Sequence, residues 1–198
     1  MLVLLAWAYQ SSAPKRRKAP APKGTQHSAD RTPQAPAAAR TQIAASYREV
    51  TGQEPSPEAL AMLMAHSAGE TGRWRKMSGW NYGFVTTLGG HDWFELPPNP
   101  LKFKWYGSAP EGCRDWLETI RDNFPDAWAV VGSGDAAAYV LGLHKGKHGS
   151  YFGDAPVAQY ERLVRLLYGE LLPLAGGVAA PQAAARRRLR VVKRSKRA

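Results

Sequence analysis

Residues 60–80, LAMLMAHSAGETGRWRKMSGW, constrain the fold more than any other stretch of the chain. The first nine are almost wholly apolar. A helix that is apolar around most of its circumference has to be buried, so the other elements must be arranged around it. Ser56-Pro57-Glu58 supplies its start, with Ser as cap and Pro at the first helical position. Gly69 and Gly72 mark its end, and Glu70 stands between them. A carboxylate where a buried helix meets a cleft, beside a loop rich in Arg and Trp, is placed to have its pKa raised and to donate a proton. Glu70 is the candidate catalytic acid.

The rest of the chain reads as short helices with one small β region. Ile43, Tyr47 and Val50 lie at helical spacing in a helix that Gly52 ends. Between residues 81 and 106 the pattern changes to Phe84, Val85 and two Thr, then Trp93 and Phe94, then Phe103, Trp105 and Tyr106, with Pro97, Pro98 and Pro100 at a bend. That is the pattern of short strands joined by turns. Ser108 and Glu111 form a capping box ahead of Trp116, Leu117 and Ile120. Short helices are expected over 126–131 and 134–143, and a longer one capped by Asp154, with Tyr160, Leu163, Val164 and Leu167 on one face. The expected class is α+β, mostly helical.

Of the 198 residues, those from 11 to 40 are dominated by Ala, Pro, Lys, Arg, Ser and Thr. Such a composition predicts an extended linker. The division expected is an apolar start with linker over 1–40, a folded domain over 41–174 and a basic tail over 175–198. The formal net charge of +11 belongs to the ends. Residues 1–46 carry seven Lys/Arg against one Asp, and residues 175–198 carry eight with no acid. Residues 47–174 hold twelve against fifteen Asp/Glu. Blocks of like charge at a terminus interact with polyanions, whether anionic envelope polymers or nucleic acid. Cys113 is the single cysteine, which excludes an intrachain disulfide and a Cys-based zinc site. No segment has the roughly 20 apolar residues that span a bilayer. Residues 1–9 are apolar but have no basic residue ahead of them, a weak match to a signal peptide.

The order of motifs resembles the lysozyme superfamily, in its glucosaminidase-like peptidoglycan hydrolase branch. The matching residues begin with Ala68-Gly69-Glu70-Thr71-Gly72 and Gly79-Trp80-Asn81-Tyr82-Gly83-Phe84. Phe103, Tyr106, Ser108, Gly112 and Trp116 follow as F-x-x-Y-x-S-x-x-x-G-x-x-x-W. Ala127-Trp128, Gly134-Asp135, Tyr139, Tyr151-Phe152-Gly153-Asp154 and Tyr160 complete the series, over about residues 45 to 170. The resemblance implies a lysozyme-like domain that cleaves β-1,4 glycosidic bonds between N-acetylmuramic acid and N-acetylglucosamine, of muramidase or glucosaminidase type, with Glu70 as general acid. Glycosidic oxygen is a poor leaving group near neutral pH, so it must be protonated as the bond breaks. The chain departs from the family pattern at Gly83-Phe84-Val85-Thr86-Thr87, where an Asn, a Gly and an apolar residue commonly precede a Lys.

Trp80, Asn81, Tyr82, Tyr106 and Tyr151 are the candidate substrate contacts. Asp92, Glu95 and Asp154 are candidates for a second carboxylate; alternatively the 2-acetamido group of the sugar acts as internal nucleophile, with Tyr151 orienting it. His91, Asp92, His144 and His148 match no metal-ligand spacing, and no cofactor is called for. The resemblance also implies peptidoglycan as partner, a monomer, and a location in the cell envelope, outside the cell or on a phage or injection particle. The alternative reading is a non-catalytic glycan-binding or structural component of such a particle, or a polyanion binder acting through its tails.

Overall fold

The computed structural model describes residues 24–87 and 90–176. Six helices and one antiparallel hairpin follow in the order α1 (Pro36–Thr51), α2 (Pro57–Thr71), β1 (Trp93–Leu96), β2 (Asn99–Lys104), α3 (Ala109–Asn123), α4 (Pro125–Val130), α5 (Ala136–His144) and α6 (Val157–Ala175). The class is α+β and mostly helical, as the sequence predicts.

Helix α2 is the axis of the core. Every residue from Ala59 to Ala68 is buried. Ser56 caps the helix, accepting from the Ala59 amide, and Gly72 closes it in the left-handed region at φ 59°. Helix α6 packs along α2, with Gly69 facing Leu163 and Leu167. Helix α3 presents the expected stripe of Trp116, Leu117 and Ile120, packs against α1, and starts at the Ser108 cap. Asp135 caps α5 by accepting from the amides of Ala137 and Ala138.

β1 and β2 pair from Trp93 opposite Lys104 to Leu96 opposite Asn99. Phe84, Phe94 and Phe103 form a second, smaller core beneath this hairpin. The stretch around Phe84 and Val85, expected as a strand, only bridges β2 through Thr86 and Phe103. Asp154 does not cap α6: Pro156 itself occupies the cap position, without a side-chain hydrogen bond, and Asp154 lies exposed in the preceding turn.

The part of the expected linker that lies within the described residues is folded. Pro36 opens α1 at its first turn, where its missing N–H costs nothing. Residues 24–34 form a strap along β1 and the loop after α2. His27 donates its amide to the Trp93 carbonyl (2.8 Å), Trp93 donates to the Thr25 carbonyl (3.0 Å), and Thr32 donates to the Met77 carbonyl (2.9 Å). The His27 ring stacks on Trp105 with centroids 3.8 Å apart. Residues 1–23 and 177–198, with the apolar start and the basic tail, lie outside the described residues.

Candidate active site

The loop after α2 is tied back onto the helix. Gly72, Arg73 and Trp74 have φ of 59°, 58° and 60°, a left-handed turn that reverses the chain. Thr71 Oγ1 donates to the Ser67 carbonyl (2.6 Å) and accepts from the Trp74 amide (3.0 Å). The Trp74 indole donates to Ser67 Oγ (2.9 Å), which donates to the Tyr82 carbonyl (2.7 Å). Glu70 therefore projects from a helix turn clamped on both sides.

Burial pushes the Glu70 carboxyl up to about 7, offset in part by the hydroxyl of Tyr160, which donates to its Oε1. The C-terminal end of a helix, where carbonyls point outward, also disfavours a negative charge. Tyr139, Tyr151 and Tyr160 are all held well above the ordinary phenol range, by burial first and by the Glu70 charge second. His66, one turn earlier on α2, is fully buried and pushed down to about 3. It is neutral there, shares a 2.9 Å hydrogen bond with Tyr139 and packs edge-on against Tyr151. Glu70 thus sits against a layer of neutral polar rings.

On its other side Glu70 borders a cleft of about 180 Å³. Residues 83–86 form one wall; Leu101, Phe103 and Lys104 of β2 face the end of α3, Phe124, His148 and Tyr151 across it. The walls are mainly apolar, and Glu70 is their one carboxylate. Lys104 is committed to Asp115 at 2.9 Å. Gly83 is required by packing: a Cβ there would lie 2.2 Å from the Tyr151 hydroxyl and 2.3 Å from the Trp116 ring. Tyr151 donates to the Gly83 carbonyl at 2.7 Å, which fixes its hydroxyl at the cleft wall. Phe84 is held at φ 49°, strained for an aromatic residue, by its contact with Phe103 at 5.5 Å.

No protein-family model matches the chain, and no curated protein does. It is similar to two solved structures. One is the glycoside hydrolase domain of FlgJ from Salmonella typhimurium, with a TM-score of 0.48 and 17% identity over 72% of this chain and 92% of that one. The other is a peptidoglycan hydrolase mutant from Sphingomonas sp. A1, with a TM-score of 0.46 and 18% identity over 70% of this chain and 97% of that one.

Of the candidate catalytic and substrate-contact residues, Glu70 and Tyr151 meet at this cleft and the others do not line it. Asn81 is fully buried, and its side chain is spent on the loop: Nδ2 donates to the carbonyls of Val85 (3.0 Å) and Lys104 (2.9 Å), and Oδ1 accepts from the Val85 amide (2.8 Å). Tyr82 is a core residue that donates to Gln34 Oε1 at 2.6 Å. Trp80 packs its carbonyl against Gly112, where no side chain fits. Tyr106 donates to Asp115 at 2.6 Å and borders a second, polar pocket. Asp92 lies in that second pocket, held below the usual carboxylate range by the Thr25 amide and His27. Glu95 stands on β1 opposite Lys102, and Asp154 is exposed before α6. Among the described residues no three His, Cys, Asp or Glu side chains converge as a metal site would require. Tyr160 is the partner that sequence reasoning missed. It belongs to the motif series, but ninety positions separate it from Glu70 and only the packing of α6 on α2 joins them.

Proposed function

We propose that the chain is a glycoside hydrolase of peptidoglycan, cleaving the β-1,4 bond between N-acetylmuramic acid and N-acetylglucosamine with Glu70 as general acid. The observation that carries this reading is a single carboxyl, pushed up to about 7 by burial, bordering an apolar-walled cleft. A carboxyl of that kind stays protonated near neutral pH and can pass its proton to the glycosidic oxygen as the bond breaks.

The second carboxylate expected of most glycosidases has no candidate in the cleft wall. This favours the route in which the 2-acetamido oxygen of the sugar attacks its own anomeric carbon. Glu70 gives its proton to the leaving oxygen; water then opens the cyclic intermediate and returns a proton to the Glu70 carboxylate. The Tyr151 oxygen, with its own hydrogen engaged by Gly83, accepts from the acetamido N–H and orients it.

Purified peptidoglycan incubated with the full chain should lose turbidity and release reducing ends. Glu70→Gln should fold and lower the rate at least 100-fold. Equal rates for the two proteins would sink the assignment. Mass spectrometry of the fragments identifies which sugar carries the new end.

A further inference from the structure

One partly buried contact sets what Glu70 can do with its proton. Tyr160 reaches the carboxyl from α6; it is 4% exposed and, unlike Glu70, is not part of the cleft wall. Its hydroxyl donates to Oε1, the only hydrogen bond to this carboxyl among the described residues. A phenol whose ionisation burial and the Glu70 charge both oppose remains a donor at every working pH. The oxygen that receives this hydrogen is poorly placed to carry one of its own. Resting on the proposed reaction, we propose that Tyr160 is a positioning residue, which by occupying Oε1 places the acidic proton of Glu70 on Oε2, toward the cleft.

When the proton leaves Oε2 for the glycosidic oxygen, the O–H bond breaks and its electron pair stays on the carboxylate. The same Tyr160 hydrogen then faces an anion, and a hydrogen bond to a charged acceptor is about twice as strong as a neutral one. The contact therefore strengthens as the charge develops, which is the condition for lowering a barrier rather than only binding. The ring is fixed for this role by stacking on Phe152, with centroids 4.3 Å apart.

The other ionisable groups near Glu70 are Tyr139 from α5, Tyr151 from the loop before α6 and His66 from α2. On the cleft side are Lys104, paired with Asp115, and His148. The first three stay neutral through the working range. A site-specific carboxyl signal of Glu70, followed by carbon NMR as pH is varied, reads its own midpoint and does so apart from turnover.

In Tyr160→Phe the midpoint should rise by about 1–2 pH units, because a donor that favours the ionised form is gone. kcat should fall about tenfold with KM unchanged, and the alkaline limb of the rate profile should move to higher pH. Tyr139→Phe removes an equally buried hydroxyl that bonds to His66, and should leave the midpoint where it is. An unmoved midpoint in Tyr160→Phe, or the same shift in both variants, overturns the proposal. Should the Phe variant fail to fold, wild-type chain made with 3-fluorotyrosine replaces it: its phenols are stronger donors, so the Glu70 midpoint must fall, and no change overturns the proposal. A shift confined to Tyr160→Phe, in a protein whose wild type releases no reducing ends, would sink the hydrolase reading and leave the effect of Tyr160 on the Glu70 proton standing.

Discussion

At Glu70 the requirements of folding and of the proposed chemistry oppose each other. Its carboxyl is pushed from 4.5 to about 7 in the folded chain. The neutral form is therefore favoured by the fold, and the advantage is present at low pH and lost as pH rises through about 7. Above that pH the protein holds a buried charge at a cost on the order of 2–3 kcal/mol. Glu70→Gln, which keeps the shape without the charge, should melt higher than wild type at pH 8.5, with the difference vanishing below pH 5, as differential scanning calorimetry would show. The opposite order at pH 8.5 would mean that the carboxyl is solvated. If the proposed reaction holds, the same raised midpoint should make hydrolysis decline above about pH 7 as the acid ionises. Gly83 carries a sharper constraint. Gly83→Ala would drive a methyl into Tyr151 and Trp116, both fixed by their packing, and should destabilise the fold by about 2–4 kcal/mol in urea unfolding while displacing Tyr151 from the cleft. The position of Glu70 at the end of a buried helix was legible in the sequence because its signals are local: an apolar run, two flanking glycines and one acid between them. Tyr160 was not, because the contact that gives it a role is made only when α6 packs on α2.

Among the elements, those with a hydrophobic period were the readable ones. Helices α2 and α3 match their expected spans because cap and apolar stripe agree. The strap over 24–34 escaped because its order does not come from apolar burial. It comes from backbone hydrogen bonds that cover the edge of β1 and from one His–Trp stack, neither of which leaves a periodic trace. A chain beginning at residue 36 should lose those bonds, expose Trp105, shift the tryptophan emission to longer wavelength and melt several degrees lower; unchanged emission would show that the strap is not needed to cover that ring. Asn81 is the counterpart on the other side of the hairpin. The sequence marked it as a substrate contact, yet its amide holds residues 81–85 against β2 with three hydrogen bonds. Asn81 supports the cleft wall from behind. Its replacement by Ala would take a partner from the Lys104 carbonyl and from the buried Val85 amide, while the Val85 carbonyl keeps the Lys104 amide (2.9 Å), so a loss of about 2–3 kcal/mol is expected in urea unfolding.

Across the whole molecule, charge is sorted by region. The acid excess lies over residues 47–174, and the polar pocket beside α3 gathers Asp92, Glu111, Asp115 and Glu118. An acidic body is repelled by anionic polymers, so any attraction of the chain to them has to come from its ends. The last thirteen residues, RRRLRVVKRSKRA, hold eight basic side chains. We propose that this tail is a retention device separable from the catalytic body. Binding through such a tail is dominated by counterion release and weakens steeply as salt rises, with no preference for sequence. Removing residues 180–198 should therefore abolish retention on immobilised DNA or another polyanion at low salt, where the full chain is held. The truncated chain should still release reducing ends from purified peptidoglycan at the full rate, because the described residues that line the cleft around Glu70 all lie between positions 70 and 151. Loss of both retention and hydrolysis would mean that the tail completes the site, and the division between acidic body and basic tail would then be wrong.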